Sequence, residues 1–231
     1  MCACVRILRQ EAMRLGYSNS FSIYDSADSL RQVTIVAKEL NLDAKRYPAR
    51  QFQAMISNAK NELLGPQDYI NAASNQFEQV VADVYTIYQQ RLQRANAMDF
   101  DDLILKTVEV LQRYPEAKAR FRSRFRHVLV DEYQDTNHAQ YILVKELVGT
   151  EAEGIPLAEL CVVGDADQSI YGFRGATIRN ILQFELDYPN ASTVLLEQNY
   201  RSTQNILNAA NAVITRNESR RILRMVAPRK P

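Results

Sequence analysis

The sequence predicts an α/β protein built on a parallel sheet with an inserted all-helical stretch, and three observations point there. Short apolar runs at 128–130, 160–163 and 193–196 are each the length of one strand, and helical patterns separate them. The first run ends in two carboxylates, Asp131 and Glu132, at the kind of sheet edge where open parallel sheets gather their ligands. Between 22 and 95 apolar residues recur at helical spacing, with no strand pattern of comparable strength.

Taken in order, residues 1–15 have helical spacing, with Val5, Leu8, Ala12 and Leu15 on one side and Gly16 as the stop. Residues 22–24 read as an extended link. Asp25 is placed to cap a helix running to about Leu40, with Asp28 inside its first turn. Pro48 opens the next helix, which the Gly65-Pro66 pair ends by Leu64. A long helix from 76 to 93 follows, with Val80, Val84, Ile87 and Tyr88 on its apolar side and Arg91 on its polar side. Asp99 caps a helix through Leu111, and Pro115 begins a basic one containing Arg120, Arg122, Arg124 and Arg126. Then come the strand 128–130, expected to be buried on both faces, a helix over 137–148, the strand 160–163, a helix over 177–186 and the strand 193–196.

Composition narrows the function classes. Twenty-eight basic side chains nearly cancel 27 acidic ones, so any nucleic-acid surface has to be local. No apolar run reaches the length of a membrane span, and no signal peptide opens the chain. The three cysteines are too few for a disulfide framework or a zinc site, and Cys161, inside an apolar run, reads as a buried thiol. These features fit a cytoplasmic protein.

The chemistry-bearing residues cluster after the strands. Asp131 is placed to hold a magnesium ion and Glu132 to orient or deprotonate a water, although a solvated turn carries the same two letters. After the second strand, Gly164 permits a sharp exit, and Gln168 supplies a neutral side chain that both donates and accepts beside a phosphate. Tyr171, Phe173 and Arg174 follow between glycines. Aromatics interleaved with arginine suit single-stranded nucleic acid, although a glycine-rich turn with core aromatics reads equally well. After the third run, Arg201 is placed to reach a γ-phosphate as an arginine finger, or to sit on the surface ahead of a helix.

Together, V-D-E-Y-Q-D-T-N (130–137), V-G-D-A-D-Q-S-I-Y-G-F-R-G-A (163–176) and L-E-Q-N-Y-R-S-T (196–203) resemble motifs II, III and IV of superfamily one DNA helicases. The likeness is to the UvrD/PcrA group of 3′-to-5′ enzymes. M-D-F-D-D-L-I (98–104) adds to it. The resemblance implies part of a RecA-like P-loop NTPase sheet with an inserted helical subdomain, using ATP and Mg²⁺. It implies catalytic roles for Glu132, Gln168 and Arg201, with Asp131, Tyr200 and Arg201 binding the nucleotide and Asp131 the metal. Phe100, Tyr171, Phe173, Arg174 and Lys60 would contact DNA. Phe173 stands where many relatives carry tryptophan. Partners would be single-stranded DNA and single-/double-strand junctions, with no membrane and an open oligomeric state.

By the same resemblance, 1–21 is a helix of subdomain 1A, 22–95 is like subdomain 1B, and 96–190 is the remainder of 1A. Residues 191–221 begin subdomain 2A, and 222–231 form a tail without family likeness. A Walker A loop needs a Gly-Lys pair, and none of the seven glycines is followed by lysine. The chain therefore reads as a fragment expected to hydrolyse ATP poorly alone. A non-catalytic single-strand-binding fragment or a gene remnant is the alternative. A sheet short of its neighbours leaves apolar edges uncovered. Heating the purified chain while following circular dichroism is accordingly expected to show a broad or associating transition, not a sharp, reversible, monomeric one.

Overall fold

A computed structural model describes residues 2–149, 158–165, 168, 184 and 186–214. Its architecture is helix-rich α/β with short parallel strand pairs. Helix α1 (Cys2–Glu11) runs into a 3₁₀ turn (Ala12–Leu15) that Gly16 ends in the left-handed conformation at φ 79°. Strand β1 (Ser22–Tyr24) follows and pairs in parallel with β2 (Ala97–Asp99), Ser22 opposite Ala97 and Tyr24 opposite Asp99. The extended link expected at 22–24 is thus a strand, and its partner carried no strand signal of its own. Three residues are too few to show a period, and what makes them a strand is the other segment.

Between β1 and β2 the chain makes one helical excursion. Helix α2 (Ser26–Glu39) begins at Asp25, whose carboxylate accepts from the N–H groups of Ala27 and Asp28, while Asp28 reaches back to the Asp25 N–H. Helices α3 (Ala49–Asn61) and α4 (Pro66–Ala72) are separated by Leu63 at φ 59°. The Gly65-Pro66 pair therefore does more than stop α3: Pro66 starts a further helix at its first position, where a missing N–H is harmless. Helix α5 (Gln76–Arg94), capped by Asn75, closes the unit. Val33, Val36, Phe52, Ile56, Val84 and Tyr85 bury one another in its centre.

Helix α6 (Phe100–Arg113) starts directly at the end of β2 and packs against α1 through Leu103 and Val110, with Cys4 and Leu8 opposite. Helix α7 (Pro115–Arg124) leads to strand β3 (His127–Val130), and helix α8 (His138–Val148) follows, capped by Asn137. Strand β4 (Glu159–Val162) pairs in parallel with β3, Leu129 opposite Cys161. Helix α9 (Gln204–Ile214) ends the described residues.

Three expectations need correction. Leu129 is 77% exposed, so β3 is covered on one face only. Cys161 lies opposite it and is exposed as well. The run 193–196 forms no strand and belongs to neither strand pair of the described residues, and Val194 and Leu196 are exposed. The helix expected over 177–186 falls largely outside the described residues.

The excursion is tied to α6 by a buried ion cluster. The Lys60 ammonium, at the end of α3, lies 2.7 Å from Asp99 Oδ2 and 2.9 Å from Asp102 Oδ1, and the residue is 1% exposed. Tyr88 of α5 donates its hydroxyl to Asp99 at 2.8 Å, and the Gln89 amide donates to Asp102 at 3.1 Å. Burial alone pushes the ammonium's pKa down, but the charges of Asp102 and Asp99 outweigh it and hold it well above its ordinary value. Asp99 is likewise pushed up by burial and pulled further down by Lys60, ending below the usual carboxylate range. Asp102, buried beside the charge of Asp99, is held above it.

Removing one partner of such a cluster leaves unpaired buried charge, so Lys60→Met is expected to cost about 3–5 kcal/mol near neutral pH in urea unfolding. The sign of the pH dependence separates this from a packing defect. With Lys60 present, the depressed Asp99 contributes stability that is lost as pH falls through its folded pKa. With Lys60 gone, two unpaired carboxylates favour the protonated folded state, so the deficit narrows as pH falls. A deficit unchanged between about pH 7 and pH 5 would contradict this account.

Candidate functional site

Three of the functional candidates, Asp131, Glu132 and Gln168, gather at the carboxyl ends of β3 and β4. Parallel pairing brings both strands to the same edge, and backbone bonds carry the pairing past the strands themselves. Val163 N–H donates to Val130 O at 2.8 Å, and Tyr133 N–H donates to Val163 O at 2.9 Å. Asp131, Glu132 and the loop beginning at Gly164 are therefore parts of one hydrogen-bonded edge.

Asp131 and Glu132 are both exposed. Asp131 Oδ1 accepts the Glu132 N–H at 3.0 Å. Glu132 is left-handed, φ 49° and ψ 47°, a conformation that is uncommon for a residue with a Cβ. A short 3₁₀ turn, Tyr133–Asp135, follows. Tyr133 is 3% exposed and meets the edge of Phe184 at 5.6 Å between ring centroids. Burial pushes its phenol up to about 12, so this hydroxyl stays protonated at neutral pH.

Gln134 is the residue that sequence reasoning missed. It is 1% exposed. Its Nε2 donates to Glu132 Oε2 at 2.7 Å, and its Oε1 accepts the Asp165 backbone N–H at 3.0 Å. Asp165 in turn accepts from Gln168, backbone to backbone at 3.0 Å and from Nε2 to Oδ2 at 2.7 Å. A continuous path thus runs from Glu132 through Gln134 and Asp165 to Gln168. The signal that could have found it was the amide side chain itself, set between Glu132 and Asp135, four residues past the end of β3.

Gly164 makes the contact possible. Its φ is not in the left-handed region, so it is not needed to turn the chain. What it supplies is space: a Cβ there would lie 2.9 Å from Gln134 Oε1 and 3.4 Å from the backbone nitrogen of Tyr133.

The other candidates distribute differently. Phe100, in the first turn of α6, is 41% exposed beside a cavity of about 70 Å³ lined by Ser26, Ser29, Gln53, Ser57 and Asp101. Burial, and then the charge of Asp99, raises the Asp101 pKa. Lys60 is corrected: it is spent on Asp99 and Asp102 and presents no ammonium to a phosphate outside. Tyr200 is 80% exposed and donates its hydroxyl to Gln198 at 3.0 Å. The Arg201 N–H donates to Asn199 Oδ1 at 2.9 Å. Both make these contacts within their own turn and not with the Glu132–Gln168 path. Tyr171, Phe173 and Arg174 lie outside the described residues.

An edge of this kind can hold a hard cation through exposed carboxylate oxygens and present a second carboxylate to a water. Comparison with known proteins bears on what it serves. The profile of the UvrD/REP helicase N-terminal domain matches residues 2–189. The chain is 60% identical over 227 residues to ATP-dependent DNA helicase UvrD1 of Mycobacterium tuberculosis (strain ATCC 25618 / H37Rv), covering 96% of this chain and 29% of that protein. It is 50% identical over 218 residues to ATP-dependent DNA helicase PcrA of Bacillus subtilis (strain 168), covering 94% of this chain and 29% of that protein. With PcrA of Leuconostoc citreum the identity is 52% over 216 residues, 94% of this chain and 28% of the relative. The chain therefore spans less than a third of the length of these relatives.

The packing at Gly164 yields a prediction. In Gly164→Ala the new methyl meets Gln134 and the Tyr133 backbone, and overpacking of this kind costs about 1–3 kcal/mol. Urea unfolding is expected to show that loss, and Gly164→Ala stability within about 0.5 kcal/mol of the parent would be inconsistent with the contact.

Proposed function

Because the chain belongs to the UvrD/REP helicase N-terminal domain family, we propose that it is a segment of an ATP-dependent DNA helicase that moves 3′-to-5′ along single-stranded DNA. The observation that carries this reading is the hydrogen-bonded path joining Glu132 to Gln168 across the ends of two parallel strands. It supplies what a motor needs: a group that acts on water and a group that senses phosphate, held in one frame.

The exposed carboxylates fit a magnesium nucleotide, since Mg²⁺ is commonly held by one or two carboxylates together with phosphate oxygens and water. When bound, Mg²⁺–ATP supplies the transferable phosphoryl group with its charge partly neutralised. In this reading Asp131 holds the ion, and Glu132 orients the attacking water and accepts its proton. Gln168 reports on phosphate and Arg201 meets its charge, a contribution of about 10³–10⁵ in rate in comparable enzymes. Tyr200 packs on the adenine. Phe100, Tyr171, Phe173 and Arg174 line the path of the DNA strand, with single-/double-strand junctions as the natural substrate. The excursion between β1 and β2 corresponds to subdomain 1B, the segments around it to 1A, and residues from 191 to 221 to the start of 2A.

The reading requires a phosphate-cradling loop that these 231 residues do not encode, since no glycine precedes a lysine. Two measurements test it. The isolated chain with single-stranded DNA is expected to turn ATP over far more slowly than about one per second, the low end of ordinary enzyme rates. Fluorescence anisotropy with a labelled oligothymidylate is expected to show binding that Tyr171→Ala or Phe173→Ala weakens by about 5- to 150-fold, the value of one lost base–aromatic stack. Affinity unchanged in both variants would sink the DNA groove.

A further inference from the structure

We infer that Gln134 is a positioning residue: its buried amide couples the Glu132 carboxylate to the Gln168 loop, so that neither moves without the other. The inference rests on the reading of Glu132 and Gln168 given above. A side-chain amide can do this, with donors at one end and an acceptor at the other. Here each end is committed, Nε2 to Glu132 at 2.7 Å and Oε1 to the Asp165 N–H at 3.0 Å. At 1% exposure, water does not compete for either bond. Gly164 leaves the room that this amide occupies, since an added Cβ would lie 2.9 Å from Oε1.

The far end of the path is equally short. Gln168 reaches Asp165 by its backbone and by its side chain, so displacing Gln168 pulls on the residue whose N–H Gln134 holds. The same amide bonds the carboxylate proposed to act on water. A change at the phosphate-sensing residue therefore reaches the water-activating one through a single side chain, without passing through the sheet.

The two ends of Gln134 can be cut separately. Gln134→Glu keeps an oxygen for the Asp165 N–H and replaces the donor facing Glu132 with a second acceptor, whereas Gln134→Met removes both bonds. In native-state hydrogen exchange on the full chain, the Asp165 amide is expected to lose protection by about tenfold in Gln134→Met and to keep it in Gln134→Glu. The Val163 amide, bonded to Val130, is expected to hold in both variants and so reports that the strand pair is intact. For the coupling itself, Gln168→Asn withdraws the amide from Asp165, and the ¹³C carboxyl resonance of Glu132 is expected to shift. In the Gln134→Glu background that shift is expected to vanish.

Unchanged Asp165 protection in Gln134→Met overturns the inference. So does a Glu132 response to Gln168→Asn that is absent from the parent, or that persists undiminished in Gln134→Glu. Adding oligothymidylate separates the two levels: if it perturbs no resonance, the DNA reading fails while the exchange and Gln168→Asn results still decide the role of Gln134.

Discussion

One buried ammonium holds the two halves of this architecture in register. Lys60 brings a positive charge into the interior at the end of α3, where an unpaired charge would be prohibitively unfavourable. It is tolerated because Asp99 and Asp102 meet it from a different part of the chain, and because Tyr88 and Gln89 occupy further acceptor sites on those carboxylates. Asp99 has the most demanding position. It is the last residue of β2, the cap of α6 and a partner of Lys60 at once. The strand pair, the helix start and the docking of the excursion thus share one carboxylate. A hydrophobic cluster of similar volume could match the stability, but it would not specify which end of α3 meets which turn of α6.

That cluster also shows what a sequence does and does not reveal. The caps at Asp25 and Asp99 were legible, because each acts on backbone groups two or three residues away. Gly16 was legible for the same reason, its left-handed φ being a local demand. Lys60 was not: in S-N-A-K-N-E-L, on the helix expected to end by Leu64, it reads as a DNA contact, and only the arrival of residues 39 and 42 positions later makes the lysine a core residue. The β1–β2 pair was hidden for a related reason, since each strand is short and most of its definition comes from the other. The exposed Leu129 and Cys161 err in the opposite direction, as apolar strands whose outer face nothing covers among the described residues.

The site divides along the same line. The acid pair and Gln168 were singled out because residue type and family resemblance both mark them. The bond that unites them was not, because it runs through Gln134, a neutral side chain whose neighbours in sequence draw the attention. Gly164 was noticed and misread. Its freedom of rotation is unused, and its missing side chain is what allows the two loops to touch. Arg201 and Tyr200 illustrate the remaining limit, since their proposed roles require a cleft built from more than their own turn.

The left-handed backbone at Glu132 connects these features. In a continuing strand, side chains alternate between faces, so adjacent carboxylates would point apart. Leaving the extended region at Glu132 lifts that constraint, at a penalty of about 1–3 kcal/mol for a residue with a Cβ. Such strain persists only where the surroundings hold it, and here three bonds do so. The Glu132 N–H is taken by Asp131, its carboxylate by Gln134, and the next N–H by Val163, just past the end of β4. The last two depend on the 163–165 segment lying where it does. The geometry of the acid pair is therefore a property of the paired loops, and any event that displaces the Gln168 loop loosens the restraint on Glu132.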